Sequence, residues 1–355
     1  MIGPFSKPVT GVSLANDKIL ELCLTKNCVI KTINTSYFSF KEKSGGFSFT
    51  KVFFYLKSHL KLYKILNVSY VYITIGQTFF GILKYGFALI LSRLLGKKII
   101  VHLHGNELGK NYINASSIQK YIFRKLIGCA DIGIVLSEGL KYNLSFFFKE
   151  KQIYVLNNFI DYKILGTEEE IKNKNFNTLK LLFLSNLMTE KGIFELLEAI
   201  KDLQNENIFI PVEFYGNIDV VNKDLILKKI KKLGKNVTYK GIANKLEKRR
   251  AFIRNNVFIL PSYNEGMPLS VLEAMGTGNM LIVSDLDGLK GVLKNNLNAI
   301  LISSRSSREI KDALKEVSEN TSYFKKNGKE NYIKVKNEFT ENQFISGLEK
   351  IFNQI

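Results

Sequence analysis

Tryptophan is absent from the 355 residues, and cysteine, histidine and proline are scarce, at 3, 3 and 5. The missing tryptophan excludes nothing. Five prolines against 25 glycines exclude a low-complexity fibre. Cys23, Cys28 and Cys129 form an odd, scattered set without a CxxC pair, which argues for reduced thiols in a cytosolic protein. No signal peptide is visible, because the first eight residues run straight into a Gly/Pro-containing loop. Long apolar runs are missing too. The best candidate for a membrane span, 79–95, has 17 residues and contains Lys84, Ser92 and Arg93. Crossing hydrocarbon takes about 20 residues, so this stretch is expected as one helix packed on a sheet. Finally, no acidic residue occurs between Glu42 and Glu107.

What remains is a globular composition, 46% hydrophobic and 12% aromatic, long enough for two domains. The net charge of +19 is unevenly spread. Residues 1–160 hold 21 Lys/Arg against 7 Asp/Glu, and the remainder 30 against 25. An AT-rich genome would enrich lysine throughout. A functional reading is a front half that meets an anionic surface. Lys51, Lys57, Lys61, Lys64, Lys84, Arg93, Lys97 and Lys98 are interleaved with Phe and Leu, as on membrane-interfacial surfaces. No helix-turn-helix, zinc-finger or RNA-binding signature supports nucleic acid as a partner.

Short apolar runs alternate with helical periodicity along most of the chain, which predicts α/β architecture with doubly wound parallel sheets. Strands are expected at 1–5, 27–33, 68–74, 98–104, 132–136 and 153–156. Helices are expected between them at 14–24, 50–66, 79–95, 116–128 and 137–147, with an irregular loop at 38–49. The polar stretch 161–177 breaks the pattern. The expected organisation is a first domain over 1–163, a linker over 164–177 and a second domain over 178–339. A closing helix at 340–355 is placed to pack back on the first. Two such halves offer a cleft for a two-substrate reaction.

The most informative stretch is 257–288, VFILPSYNEGMPLSVLEAMGTGNMLIVSDLDG. Val257–Leu260 reads as a buried strand, Pro268 as the first residue of a helix, and 280–283 as the next strand. A helix N-terminus attracts phosphate, and ligands of open α/β sheets bind at the carboxyl ends of strands. Two carboxylates flank this helix start, Glu265 in the loop and Glu273 within the helix. Acids beside an anion site suit a ligand that also carries hydroxyls, as a nucleotide sugar does. Each acid also has a plain reading, Glu265 as a helix-dipole partner and Glu273 as an exposed helix residue.

The run Glu265-Gly266-Met267-Pro268-Leu269-Ser270-Val271-Leu272-Glu273-Ala274-Met275 resembles the E-x7-E signature of retaining GT-B glycosyltransferases of family 4. Other segments resemble the same family in the same order: Gly3-Pro4 with Val9-Thr10-Gly11-Val12-Ser13, His102-Leu103-His104-Gly105, Val155-Leu156-Asn157-Asn158, 184–192, 237–241 and 257–262. The likeness covers most of the chain and implies a GT-B fold of two Rossmann-like domains facing a central cleft.

The resemblance implies roles residue by residue. Glu265 meets the donor sugar. Glu273 accepts the two ribose hydroxyls, a vicinal diol matching a carboxylate's two oxygens. Lys191 neutralises the leaving diphosphate. Asn186 stands where the family usually has arginine, offering an amide donor without charge; the helix start at Pro268, Arg254 or another base would then compensate. Gly266, Met267, Pro268 and Leu269 line the donor loop, and Gly216 lines the base or phosphate pocket. In the first domain His104 contacts the sugar, with Gly105 allowing close ligand approach, and Gly11 lies in a loop over the donor phosphates. His102 is placed on the other strand face as a structural residue. Asp285 and Asp287 follow the signature helix and make no D-x-D metal site, so no metal or other cofactor is expected.

The implied activity is retaining transfer of a hexose or N-acetylhexosamine from a nucleotide diphosphate sugar, UDP-linked, to a lipid-linked or growing surface glycan in bacterial polysaccharide biosynthesis. The enzyme is expected in the cytoplasm, peripheral at the inner face of an anionic membrane. The alternatives are a nucleotide-sugar epimerase on the same fold and a non-catalytic nucleotide- or glycan-binding module.

Overall fold

The computed structural model describes residues 1–5, 10–25, 29–36 and 59–354. The expected loop 38–49 therefore lies outside the described residues, as do most of the helix expected at 50–66 and residues 27–28 of the second expected strand. The chain forms two compact units, residues 1–158 with 345–355, and residues 159–344.

The first unit is built on a six-stranded, all-parallel sheet. Its strands are β1 (Ile2–Gly3), β2 (Ile33–Asn34), β3 (Tyr70–Ile75), β4 (Lys98–Leu103), β5 (Ile132–Val135) and β6 (Ile153–Val155), in the order β2-β1-β3-β4-β5-β6. Runs such as Tyr70–Ile75 and Lys98–Leu103 are apolar at almost every position because helices cover both faces of a parallel sheet. Ile73, Ile99, Ile100, Val101 and Ile134 have essentially no exposed surface.

Local chemistry shifts several elements from their expected bounds. The first helix is Gly11–Thr25, three residues earlier than expected, because Thr10 and Ser13 exchange side-chain-to-backbone hydrogen bonds at its start. The single helix expected over 79–95 is two, Phe79–Leu83 and Gly86–Leu94. Tyr85 is buried at the break with its hydroxyl 3.1 Å from Thr35 Oγ1, and Gly86 lies against Leu126. Hydrophobic periodicity cannot see such a break. The helix expected at 137–147 is only a 3-10 turn, Glu138–Asn143.

The second unit holds β7 (Leu181–Leu184), β8 (Val212–Tyr215), β9 (Val237–Tyr239), β10 (Val257–Leu260), β11 (Met280–Ser284) and β12 (Ile300–Ile302). They form a second parallel sheet in the order β12-β11-β10-β7-β8-β9. The chain leaves β7 toward β8 and β9, then returns to β10 on the other side of β7. That reversal makes the carboxyl ends of β7 and β10 the topological switch point, where open α/β sheets bind ligands.

The linker expected over 164–177 is part of this unit and is ordered. Thr167 and Glu170 form a capping box that starts the helix Glu168–Lys172, and Ile171 and Phe176 are buried. Lys174 is buried as well, donating to the carbonyls of Phe252 and Thr277 at 2.8 and 2.9 Å. Its many polar residues made this segment resemble a linker, yet a few apolar anchors and one buried lysine dock it.

Candidate active site

Three loops of the second unit converge at the switch point. β10 is followed by Pro261 and Ser262, and the loop after them carries Glu265 to the helix Leu269–Gly276. Pro268 is the N-cap of that helix, with φ −67° and ψ 127°, rather than its first residue. Its carbonyl accepts from the Val271 N–H at 3.1 Å. β7 is followed by Ser185 and Asn186, then by a 3-10 turn, Thr189–Lys191. Gly192 closes that turn at φ 72°, and a Cβ there would stand 2.1 Å from the Pro261 carbonyl oxygen. Only glycine lets the β7 loop approach the end of β10 this closely.

The approach brings Lys191 and Glu265 together. Lys191 Nζ lies 2.5 Å from Glu265 Oε1, and Ser262 Oγ donates to the same oxygen at 2.8 Å. The pair is mostly buried, with side chains 22% and 13% exposed. Tyr263 fixes the loop further. Its N–H donates to the Glu190 carbonyl at 2.9 Å and its hydroxyl to Glu195 Oε1 at 2.6 Å. Burial, helped by Glu195, pushes the Tyr263 phenol up to about 12, so it stays a donor. The Arg305 guanidinium lies over its ring, 4.5 Å from the centroid. Met267 is buried, while Gly266, Pro268 and Leu269 are half-buried along the loop.

Asn186 is exposed just past β7, and Gly216 follows β8. Gly216 has φ 141°, and a Cβ there would stand 1.8 Å from the Ser185 carbonyl oxygen, so the β7 and β8 loops touch. Arg254 does not reach this region to replace the charge that Asn186 lacks. Its guanidinium forks onto Glu213 at 2.7–3.1 Å and reaches Tyr215 Oη at 2.5 Å.

Glu273 faces inward from the helix Leu269–Gly276 and is only 5% exposed. It is therefore not an ordinary surface helix residue. Its Oε1 is 2.5 Å from Lys248 Nζ, and its buried Oε2 has no hydrogen-bond partner. Burial pushes this carboxyl up, while Lys248 and Lys245 draw it down and Asp161 adds to the rise. Ser262 and Lys248 are residues that sequence reasoning missed. Lys248 had no local signal, since its partner is 25 positions away on another helix.

In the first unit His104 follows β4, and His102 precedes it by two residues. Two residues apart on a strand means one face, not opposite faces. The rings of His102 and His104 indeed stack, 4.0 Å between centroids. Tyr72 Oη and His102 Nδ1 share a hydrogen bond. Burial holds the His104 imidazole down at about 4 and holds His102 well below its ordinary range, with His104 beside it adding to the effect. Both rings are neutral near pH 7. The Nε2 atoms of both are buried without a hydrogen-bond partner. Gly105 has a different cause from the one expected. A Cβ there would stand 2.0 Å from the Gln77 side chain, whose Oε1 accepts from the Glu107 N–H at 2.6 Å, so the glycine accommodates the protein's own glutamine. Gly11 is exposed as the first residue of its helix, not in a loop.

Among the described residues no group of three or more His, Cys, Asp or Glu is placed to hold a metal ion. The same residues include no helix long and apolar enough to cross a membrane.

Residues 166–334, nearly all of the second unit, match the family model for glycosyl transferases group 1. Those residues carry a group 1 glycosyl transferase domain, and the chain is a glycosyltransferase. It is 26% identical over 324 residues to an uncharacterised glycosyltransferase of Methanocaldococcus jannaschii, an alignment covering 85% of this chain and 80% of that one. It is 25% identical over 207 residues to the N,N'-diacetylbacillosaminyl-diphospho-undecaprenol alpha-1,3-N-acetylgalactosaminyltransferase of Campylobacter jejuni, covering 57% of this chain and 49% of that one. Among solved structures, Anabaena HepE in complex with UDP superimposes with a TM-score of 0.75 at 13% identity, over 100% of this chain and 99% of that one. Such a likeness carries the fold, and the two parallel six-stranded sheets flanked by helices are the GT-B fold. In this glycosyltransferase Lys191, Ser262 and Glu265 lie together past the carboxyl ends of β7 and β10, at the switch point of the second sheet.

Proposed function

We propose that this glycosyltransferase is a retaining enzyme of family 4. It transfers a hexose or N-acetylhexosamine from a UDP-sugar to a lipid-linked or growing surface glycan in bacterial polysaccharide biosynthesis. The observation that carries the reading is the cation–carboxylate contact of Lys191 and Glu265 at the ends of β7 and β10, beside the helix start at Leu269. When the bond from the sugar C1 to the phosphate oxygen breaks, its electron pair stays on the diphosphate. Lys191 and the free N–H groups of the helix start neutralise that charge, with no metal required. Glu265 orients the sugar hydroxyls and stabilises positive charge developing at C1. The acceptor hydroxyl forms the new bond to C1, and its proton passes to the departing phosphate oxygen on the same face. Two relatives support the substrates: HepE was solved with UDP, and the Campylobacter enzyme is named for a diphospho-undecaprenol substrate.

Peripheral contact with an anionic bilayer belongs to the same reading and places the enzyme at the cytoplasmic face of the membrane. In the first unit Phe87, Ile90 and Leu94 are exposed along one helix, and Leu60, Tyr63 and Leu66 along a neighbouring 3-10 turn. His59, which precedes that turn, stacks edge-on against Phe87. Lys97 donates to the Leu66 carbonyl at 2.9 Å, and Lys61 and Lys98 are exposed, as is Arg93, which pairs with Asp131 at 3.2 Å. An apolar face with exposed cations in the same unit fits an anionic bilayer.

The test is turnover of UDP-hexoses and UDP-N-acetylhexosamines with a polyprenyl-diphosphate-linked saccharide acceptor, followed by the anomeric configuration of the product. We expect UDP release that depends on acceptor and persists in EDTA. Lys191→Ala should lower kcat by about 10²–10³-fold, the usual cost of a lost transition-state charge partner. Epimer formed from the donor alone, an inverted product, or binding of UDP without any turnover would each overturn the reading.

A further inference from the structure

We propose that Lys248 is a positioning residue for the nucleotide: it occupies Oε1 of Glu273, so that only Oε2 remains to accept a single ribose hydroxyl. The inference rests on the donor reading above and revises the expectation that both oxygens of Glu273 meet the diol. Lys248 sits in the helix Lys245–Arg254, whose start is fixed by a capping box between Asn244 and Glu247. Its ammonium lies 2.5 Å from Oε1, with its side chain 24% exposed and that of Glu273 7% exposed. An ammonium–carboxylate hydrogen bond is stronger than a hydroxyl–carboxylate one. A ribose hydroxyl therefore does not displace it cheaply.

Oε2 is the opposite case. It is buried and has no partner. A buried carboxylate oxygen left without a donor is costly, and native proteins keep few of them. One at a ligand-binding end of the sheet marks where a ligand's donor goes. The arrangement offers one buried acceptor and one satisfied oxygen.

The charged groups facing Glu273 are Lys248 and Lys245 from one helix and Asp161 from the segment before the helix Glu168–Lys172. Lys245 is itself paired with Asp161, so Lys248 is the main partner that draws the buried carboxyl back down. Without it, burial and Asp161 raise the carboxyl further, and a protonated Glu273 would no longer accept two hydrogen bonds per oxygen in the same way.

The test measures Kd by calorimetry for whichever of UDP, GDP and ADP binds the wild-type protein most tightly, and for its 2′-deoxy and 3′-deoxy analogues. One analogue should bind about tenfold or more weakly, the usual loss of a hydrogen bond to a charged group, and the other nearly as well as the parent. Lys248→Met should weaken the parent nucleotide by a similar factor near pH 7, with affinity recovering as pH rises and Glu273 ionises. Lys248→Arg should restore both affinity and the flat pH profile, a rescue that a purely structural role would not give. Equal weakening of both analogues in the wild type, or a folded Lys248→Met protein with unchanged affinity and pH profile, would overturn the inference and leave the donor reading standing. A wild-type protein that binds none of the three nucleotides would overturn both.

Discussion

At the residue scale, ionic partners explain more than proximity does. Lys191 and Glu265 satisfy each other, and under the proposed function diphosphate and sugar would take their place as partners. Glu265 and Glu273 were legible because the E-x7-E spacing brackets a helix start. Lys248 was not, because nothing local ties a lysine to a glutamate 25 positions away, and Ser262 was not, because only the fold of its loop turns its hydroxyl onto Glu265. His102 was misplaced through a lapse in strand periodicity, which sets residues i and i+2 on one face. Lys174 was hidden in a polar stretch, and its burial has a measurable consequence. Desolvation lowers its ammonium from the ordinary 10.5 to about 7. In the unfolded chain it keeps its proton up to about 10.5, so between about pH 7 and 10.5 the unfolded state binds more protons. Stability from this group therefore rises with pH across that window, by at most about 1.4 kcal/mol per pH unit. Below about pH 7 both states are protonated and the full cost of the buried charge remains. Urea midpoints at pH 7 and 9.5 should show wild type gaining more stability than Lys174→Met. Equal gains would refute this placement of the charge.

At the element scale, the central strands were read well and helix ends poorly, and the strand expected over 27–33 is only the two-residue Ile33–Asn34. β7, β10 and β11 are continuous apolar runs, and burial on both faces makes such runs unmistakable. The break at Tyr85 and Gly86 depends on a contact with Thr35 and Leu126, which periodicity within one segment cannot register. The β7 loop shows how an element end creates the site. Gly192 allows the turn Thr189–Lys191 to press on Pro261, and that contact delivers Lys191 to Glu265. Gly192→Ala adds a left-handed alanine, worth about 1–2 kcal/mol, and a Cβ 2.1 Å from a backbone oxygen that cannot rotate away. The loop must then move away from the end of β10. The expected result is a melting temperature lower by several degrees together with a kcat reduced well beyond what the lost stability explains. A variant with unchanged melting temperature and kcat would show that the loop tolerates the side chain.

At the scale of the whole molecule, the charge asymmetry has two explanations that make different predictions. If the excess of lysine in residues 1–160 reflects composition alone, vesicles should attract this protein no more than any cation of similar charge, and salt should abolish the attraction. If the first unit carries a membrane face, charge brings it to the surface and apolar insertion holds it there. Phe87 and Leu94 are 73% and 79% exposed, an unusual arrangement for two large apolar side chains on one short helix. Lys51 and Lys57 lie outside the described residues, but the exposed cations Lys61 and Lys98 do not depend on them. Co-sedimentation with phosphatidylglycerol vesicles should exceed that with phosphatidylcholine vesicles. A high-salt wash should weaken binding without removing it. Each large apolar side chain moved from water into the bilayer contributes about 1.5–3 kcal/mol. The double substitution Phe87→Asp with Leu94→Asp should therefore reduce partitioning by at least about tenfold while leaving turnover of a water-soluble acceptor unchanged. Binding that salt removes completely, or that survives the double substitution, would return the asymmetry to composition.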